Sequence, residues 1–292
     1  MYYRRKIFLA LLETFSGKLN SSDFEKLLLL LCRQTNQNYY DFFPHKYGCF
    51  SFLSYQDKRV LIKNGYLKDS DKFELTSRKS FINNIKEEDR KALTELTTKW
   101  SRSLGNKLKK YTYLEYPEYA IKSEIAEKIL NNEELNMIKS YAIFSDCKTL
   151  FTTGYEGLTI DAYMNKLIKN NIKLVIDVRK NPLSMKYGFS KTRLRNYLNK
   201  VKINYTHLPE LGIVSKLRKD LKGPEDYEKL FDNYASKTIP SNLEAIKKIT
   251  DLLNEYKRVT LTCFESNHKF CHRHKITEWL VNNSFNYPIV HI

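Results

Sequence analysis

The sequence predicts an α/β protein: a C-terminal parallel or mixed sheet with flanking helices, preceded by an N-terminal winged-helix-like domain and a helical connector. Three observations predict it. The chain opens with apolar residues at a helical period, followed by two short strand-like runs. A mixed-charge, helix-forming stretch comes next. From Lys148 onward, β-branched runs alternate with amphipathic segments. These shifts set boundaries at 1–76, 77–147 and 148–292.

In the first segment Ile7, Phe8, Leu11, Leu12 and Phe15 share one helix face, and Gly17 stops the helix. Ser21 or Ser22 is the expected cap of a second helix, with Glu25 completing a capping box and Phe24, Leu27, Leu28 and Leu31 as the apolar face. Tyr39 to Phe43 reads as an aromatic loop and Pro44 to Gly48 as a turn. Phe52, Tyr55, Val60 and Leu61 mark a third helix, ended by Gly65. Tyr66-Leu67 and Phe73 to Thr76 then form short strands across an Asp-Ser-Asp hairpin. Three helices and a hairpin are the pattern of a winged helix, which places one helix in a DNA groove or serves as a contact module. Gln56, Lys58, Arg59 and Lys63 make the polar side of the third helix.

The connector carries Glu87, Glu88 and Asp89 ahead of Arg90 and Lys91, then a polar amphipathic run to Lys110. Four tyrosines between Tyr111 and Tyr119 gather around Pro117 as a packed junction. Ala120 to Leu130 is expected to be helical through Ile121, Ile125 and Ile129.

In the third segment, Leu150 to Thr153 reads as a strand, Ile160 to Asn170 as a helix and Leu174 to Val178 as a buried parallel strand. Helix Lys191 to Val201 and strand Asn204 to Leu208 follow. Helices Tyr227 to Tyr234 and Ser241 to Tyr256, strand Arg258 to Cys263 and helix His272 to Asn282 complete the pattern. Open α/β sheets bind ligands beyond the carboxyl ends of their strands. That is where Tyr155, Glu156, Asp177, Arg179, His207, Glu210, Cys263 and Glu265 fall.

The net charge of +17 points to a polyanionic partner. Charge is concentrated in the third segment, and Arg179 to Lys222 holds twelve bases against Glu210 and Asp220, interleaved with Tyr187, Phe189, Tyr197 and Tyr205. Cations for phosphates and rings for bases are what nucleic acid requires. Five cysteines form no disulfide framework, and no secretory segment opens the chain, so a reducing cytoplasm is expected. The longest apolar run, Leu27 to Cys32, is far below the roughly 20 residues of a membrane span.

The runs T-G-Y-E-G-L-T, I-D-V-R-K-N-P-L-S, Y-T-H-L-P-E-L-G and L-T-C-F-E-S-N-H-K-F-C-H-R-H resemble the domain-of-unknown-function family 488 over about residues 148–292. Asp177-Val178-Arg179 with Pro182 and Ser184, His207 to Gly212, and Cys271-His272-Arg273 after Cys263 and Glu265 carry the resemblance. It implies an α/β domain and a site, with no established activity.

Several chemistries fit these residues. Asp177, Glu156 and Glu265, with His207 and Cys271, are the expected catalytic groups. Tyr155, Arg179, Tyr187, Phe264, His272 and Arg273 are expected to hold substrate. Lys186, Lys191, Arg193 and Arg195, together with Arg59 and Lys63, are expected to bind nucleic acid. A carboxylate that activates water beside an arginine that holds phosphate is the minimum for hydrolysing a glycosidic bond. The expected function is therefore DNA-binding and DNA glycosylase-like hydrolysis in repair or defence, with DNA rather than RNA as partner. A flipped base would stack on Tyr155, Tyr187 or Phe264.

The alternatives are a non-enzymatic nucleic-acid-binding regulator, or a rhodanese- or phosphatase-like thiol enzyme. For the latter the spacing fails, since the residue six beyond Cys263 is Lys269 and Cys271 to Arg273 is too short to wrap a phosphate. Cys263, His268, Cys271, His272 and His274 also invite a zinc reading, but one helix start does not readily aim all five inward. No metal and no cofactor is expected. The N-terminal domain is the expected contact for a homodimer or a protein partner.

Overall fold

The computed structural model describes residues 1–77, 80–218 and 223–292; Lys219, Asp220 and Lys222 of the basic stretch lie outside them. The chain divides into two compact units, Met1–Ala142 and Ile143–Ile292.

The first unit contains α1 (Tyr3–Thr14), β1 (Lys18–Leu19), α2 (Ser21–Gln34), β2 (Phe43–His45), β3 (Gly48–Phe50), α3 (Phe52–Lys63), β4 (Phe73–Glu74), α4 (Glu87–Trp100), α5 (Asn106–Glu115) and α6 (Asn132–Ser140). Leu11, Leu28, Leu31, Leu61, Leu93 and Leu108 belong to one apolar core. The helices expected as a connector therefore share the core of the first three. The α2 cap is Asn20, whose side chain accepts from Asp23 N at 3.0 Å. Glu25 is drawn inward instead and accepts from Ser54 Oγ, so the expected Ser22–Glu25 box does not form.

The aromatic loop and turn are a β2–β3 hairpin, with Phe43 opposite Phe50. The later hairpin is a Leu67–Leu75 bridge flanked by Lys68 N donating to Glu74 O at 2.9 Å and Thr76 N to Tyr66 O at 3.1 Å, and β4 pairs on its other edge with β1, a strand too short to leave a period. Ala120 to Leu130 is not an α-helix. Glu124 N donates to Lys46 O at 2.8 Å and Ser123 Oγ donates to Tyr113 OH at 3.0 Å, ties that replace the helical ladder. Tyr113 and Tyr119 are buried, as the packed junction requires.

The second unit is β5 (Thr149–Gly154), α7 (Ile160–Lys169), β6 (Leu174–Asp177), α8 (Lys191–Lys200), β7 (Asn204–His207), α9 (Pro224–Asn233), α10 (Leu243–Tyr256), β8 (Arg258–Cys263), α11 (Arg273–Asn282) and β9 (Ile289–His291). Its five strands run in the order β7-β6-β8-β5-β9, and every pairing is parallel. β5, β6 and β8 are buried throughout because helices cover both faces. Leu174 and Ile176 pack with α10 and α11, while Tyr163 of α7 reaches Thr262 of β8 at 2.7 Å from the other face. Edge strand β9 has only three residues and was not expected.

Candidate functional site

At the end of β6, Asp177 is held from several sides. Arg179 Nε donates to its Oδ1 at 2.8 Å, Arg179 Nη2 to its Oδ2 at 2.6 Å and Tyr205 OH to Oδ2 at 2.7 Å. Arg179 Nη1 donates to Tyr155 OH at 2.6 Å and to Phe189 O at 2.9 Å. Burial works against the guanidinium charge, but the Asp177 carboxylate lifts its pKa above the ordinary value. Both members of the pair are buried. Tyr155 is buried too, stacked on Phe189 with ring centroids 4.2 Å apart. This corner therefore positions the strand ends, with Asp177 and Arg179 both bonded to partners within the protein.

His207 is satisfied on both ring nitrogens: Nε2 donates to Arg179 O at 2.8 Å and Nδ1 accepts from Lys191 Nζ at 3.0 Å. Glu156 is exposed and accepts from the backbone and hydroxyl of Ser266 at 3.0 and 3.2 Å. Tyr187 OH bonds Tyr197 OH, and Phe264 is an exposed ring edge-on to Tyr155.

A second cluster lies where β8 runs into α11. The sulfurs of Cys263 and Cys271 and one ring nitrogen of His272 lie within 4.8 Å of one another, all buried. His272 Nδ1 is 3.9 Å from Cys263 Sγ and 3.7 Å from Cys271 Sγ. Cys263 Sγ donates to Glu265 Oε2 at 3.2 Å. Hydrogen bonding with Cys271, then burial, pushes the Cys263 thiol well above its ordinary pKa, which argues against a thiolate nucleophile there. Arg273 points its Nη atoms at Glu265 O (2.6 Å) and Ser266 O (2.9 Å), fixing the loop rather than meeting substrate. The other two histidines of the zinc reading turn away. His268 stacks on His291, and His274 donates from Nδ1 to Cys271 O at 2.6 Å.

Beside this cluster opens a cavity of about 550 Å³. Tyr227 and Phe231 of α9 and Phe270 form its aromatic wall, and Glu228, Asp232 and Glu278 bring carboxylates. Lys275 Nζ lies 3.5 Å from Asp232 and 3.3 Å from Glu278, whereas Glu228 has no ion pair among the described residues. Sequence reasoning missed this wall, although the aromatics at 227 and 231 are one helical turn apart.

Lys191, Arg193 and Arg195 stand exposed on α8, whose Leu194, Tyr197 and Leu198 are buried. Lys186 Nζ donates to Tyr155 O at 3.1 Å, and its pKa is lowered by burial against the pull of Glu156. In the first unit Arg59 and Lys63 are exposed on α3, but Lys58 is buried on Ser70 O at 2.7 Å.

Residues 159–280 match the family model described as Domain of unknown function DUF488. The DUF488 match opens at Thr159, the N-cap of α7, and closes at Leu280 in α11. It takes in the Asp177–Arg179 corner, the thiol cluster and the cavity residues of α9. Tyr155 and Glu156 precede it, and β9 lies beyond it. No curated protein and no solved structure matches the chain. No helix among the described residues is long and apolar enough to cross a membrane.

Proposed function

We propose that this protein binds DNA and removes a base from it by hydrolysis. The cavity on α9 and α11 carries the reading: its volume falls in the range of ligand pockets and is ample for a nucleotide, and its wall combines three aromatic rings with carboxylates. Asp177, the carboxylate first expected to act, is clamped by Arg179. Glu228 takes its place as general base, because it lies on the cavity wall outside the Lys275 ion pairs. Water activated by Glu228 adds to C1′ of the sugar, the C–N bond breaks, and the base leaves carrying a proton. Phosphates are held by Lys191, Arg193 and Arg195, and α3 offers Arg59 and Lys63 as a second contact.

The test is incubation with labelled single- and double-stranded DNA carrying normal and altered bases, followed by alkali. Alkali-dependent cleavage is expected, and Glu228→Gln lowers its rate by about 10²–10⁴ with binding unchanged. Salt-sensitive binding without any base or strand product sinks the hydrolytic reading and leaves a nucleic-acid-binding regulator.

A further inference from the structure

We propose that Cys263, Cys271 and His272 bind zinc or another thiophilic divalent cation. The inference does not depend on the function proposed above. Tetrahedral zinc with Zn–S of about 2.3 Å and Zn–N of about 2.0–2.1 Å sets its sulfur and nitrogen ligands about 3.6 Å apart. The two observed S···N separations, 3.9 and 3.7 Å, are within a small contraction of that value.

The histidine is oriented for the task. Its Nε2 lies 3.0 Å from Val178 O, and because a carbonyl only accepts, Nε2 carries the hydrogen. Nδ1 therefore presents its lone pair to the two sulfurs. A ligating histidine that donates its other nitrogen to a backbone carbonyl is the usual outer-shell arrangement of a metal site. Glu265 Oε2 lies 3.2 Å from Cys263 Sγ but outside the group formed by the three donors, so the fourth position would fall to water.

Two thiols and one histidine form a donor set that suits zinc. Loading releases one proton from each thiol. Two thiolates balance the two positive charges of the ion, beside the buried guanidinium of Arg273 and the N-terminal turn of α11. The ion would clasp the end of β8 to the start of α11 and fix the loop between them. That loop carries His268, Lys269 and Phe270, one wall of the cavity.

The test uses the full chain, purified under reducing conditions. Stoichiometric zinc is expected by plasma mass spectrometry. After chelation, Co(II) should give thiolate-to-metal charge-transfer absorption and the intense visible bands of a tetrahedral site, both displaced by Zn(II). Cys263→Ser with Cys271→Ser, and His272→Gln, should lose these signals, while Cys32→Ser and Cys49→Ser in the first unit keep them. Glu265→Gln, outside the donor cluster, should keep both signals. If the cysteine variants do not fold, the wild-type cobalt titration decides alone. Three results overturn the site: no thiolate charge transfer in the reduced wild type, a Cys263–Cys271 disulfide in protein purified without oxygen, or cobalt bands that survive the double substitution.

Discussion

Asp177 and Arg179 show how a residue's partners change its role. A bidentate pair in a buried corner, further bonded by Tyr205 and Tyr155, is a structural joint. Asp177→Asn leaves the guanidinium uncompensated, and removing one partner of a buried pair costs about 3–5 kcal/mol. Chemical denaturation should show that loss as a lower midpoint, whereas Glu228→Gln should leave the midpoint unchanged. Near-equal stability of Asp177→Asn and the wild type would refute the joint.

The histidines around the cavity respond to acid. Burial is the first cause that lowers the pKa values of His268, His274 and His291 from 6.5. A histidine held neutral in the folded state binds its proton more tightly when unfolded. Their contribution is therefore complete above pH 6.5 and is lost as pH falls from there toward the folded values. Thermal unfolding at about pH 7.5 and about pH 5 should give a lower Tm in acid, and His274→Gln should flatten the difference. A Tm that rises in acid would refute this sign.

At the scale of elements, the crossing of β5 with the loop after β8 admits no side chain. A Cβ on Gly154 would lie 1.8 Å from the Glu265 carbonyl oxygen, and backbone does not give way as a side-chain tip does. Gly154→Ala should therefore cost about 1–3 kcal/mol by overpacking and displace the loop that carries Glu265. Gly157→Ala meets nothing within 4 Å and bears only the cost of a positive φ, about 1–2 kcal/mol. A loss of less than about 1 kcal/mol at Gly154, read by denaturation, would show that the close approach does not matter.

On α2 the cap moved to Asn20 because a serine hydroxyl inside the first turn cannot reach the N3 amide, while Asn20 can. Asn20→Ala should cost about 1 kcal/mol, and Ser21→Ala much less. Denaturation of both variants checks the order.

For the whole molecule, charge is the quantity that counts. Under the proposed function, the net +17 predicts DNA affinity that falls steeply with salt. Replacing Lys191, Arg193 and Arg195 by serine should flatten the log–log salt slope by about 0.9 for each phosphate that is no longer neutralised. Fluorescence anisotropy across a salt series measures it, and an unchanged slope would move the DNA-binding face to another surface.

By itself the sequence determined the architecture of the second unit. Leu174 to Asp177 and Arg258 to Cys263 were legible as strands, since a sheet covered on both faces leaves continuous β-branched runs, and α7, α8 and α10 left clear helical periods. Parallel strands put their carboxyl ends on one edge, which is how the sequence placed Tyr155, Glu156, Asp177, Arg179, His207, Glu210, Cys263 and Glu265 together. The structure divides that edge into the Asp177–Arg179 corner and the thiol cluster. β1 and β9 were not legible, since two or three residues carry no period. Neither was the irregular path of Ala120 to Leu130, which is fixed by bonds to residues distant in sequence. Only the tertiary structure decided which groups at the edge are locked and which are presented. Asp177 is clamped by Arg179, two cysteines and one histidine of five candidate ligands converge, and α9 opens a cavity that no local pattern encodes. Spacing along a chain sets which face a residue takes; what that face meets depends on packing between elements far apart in sequence.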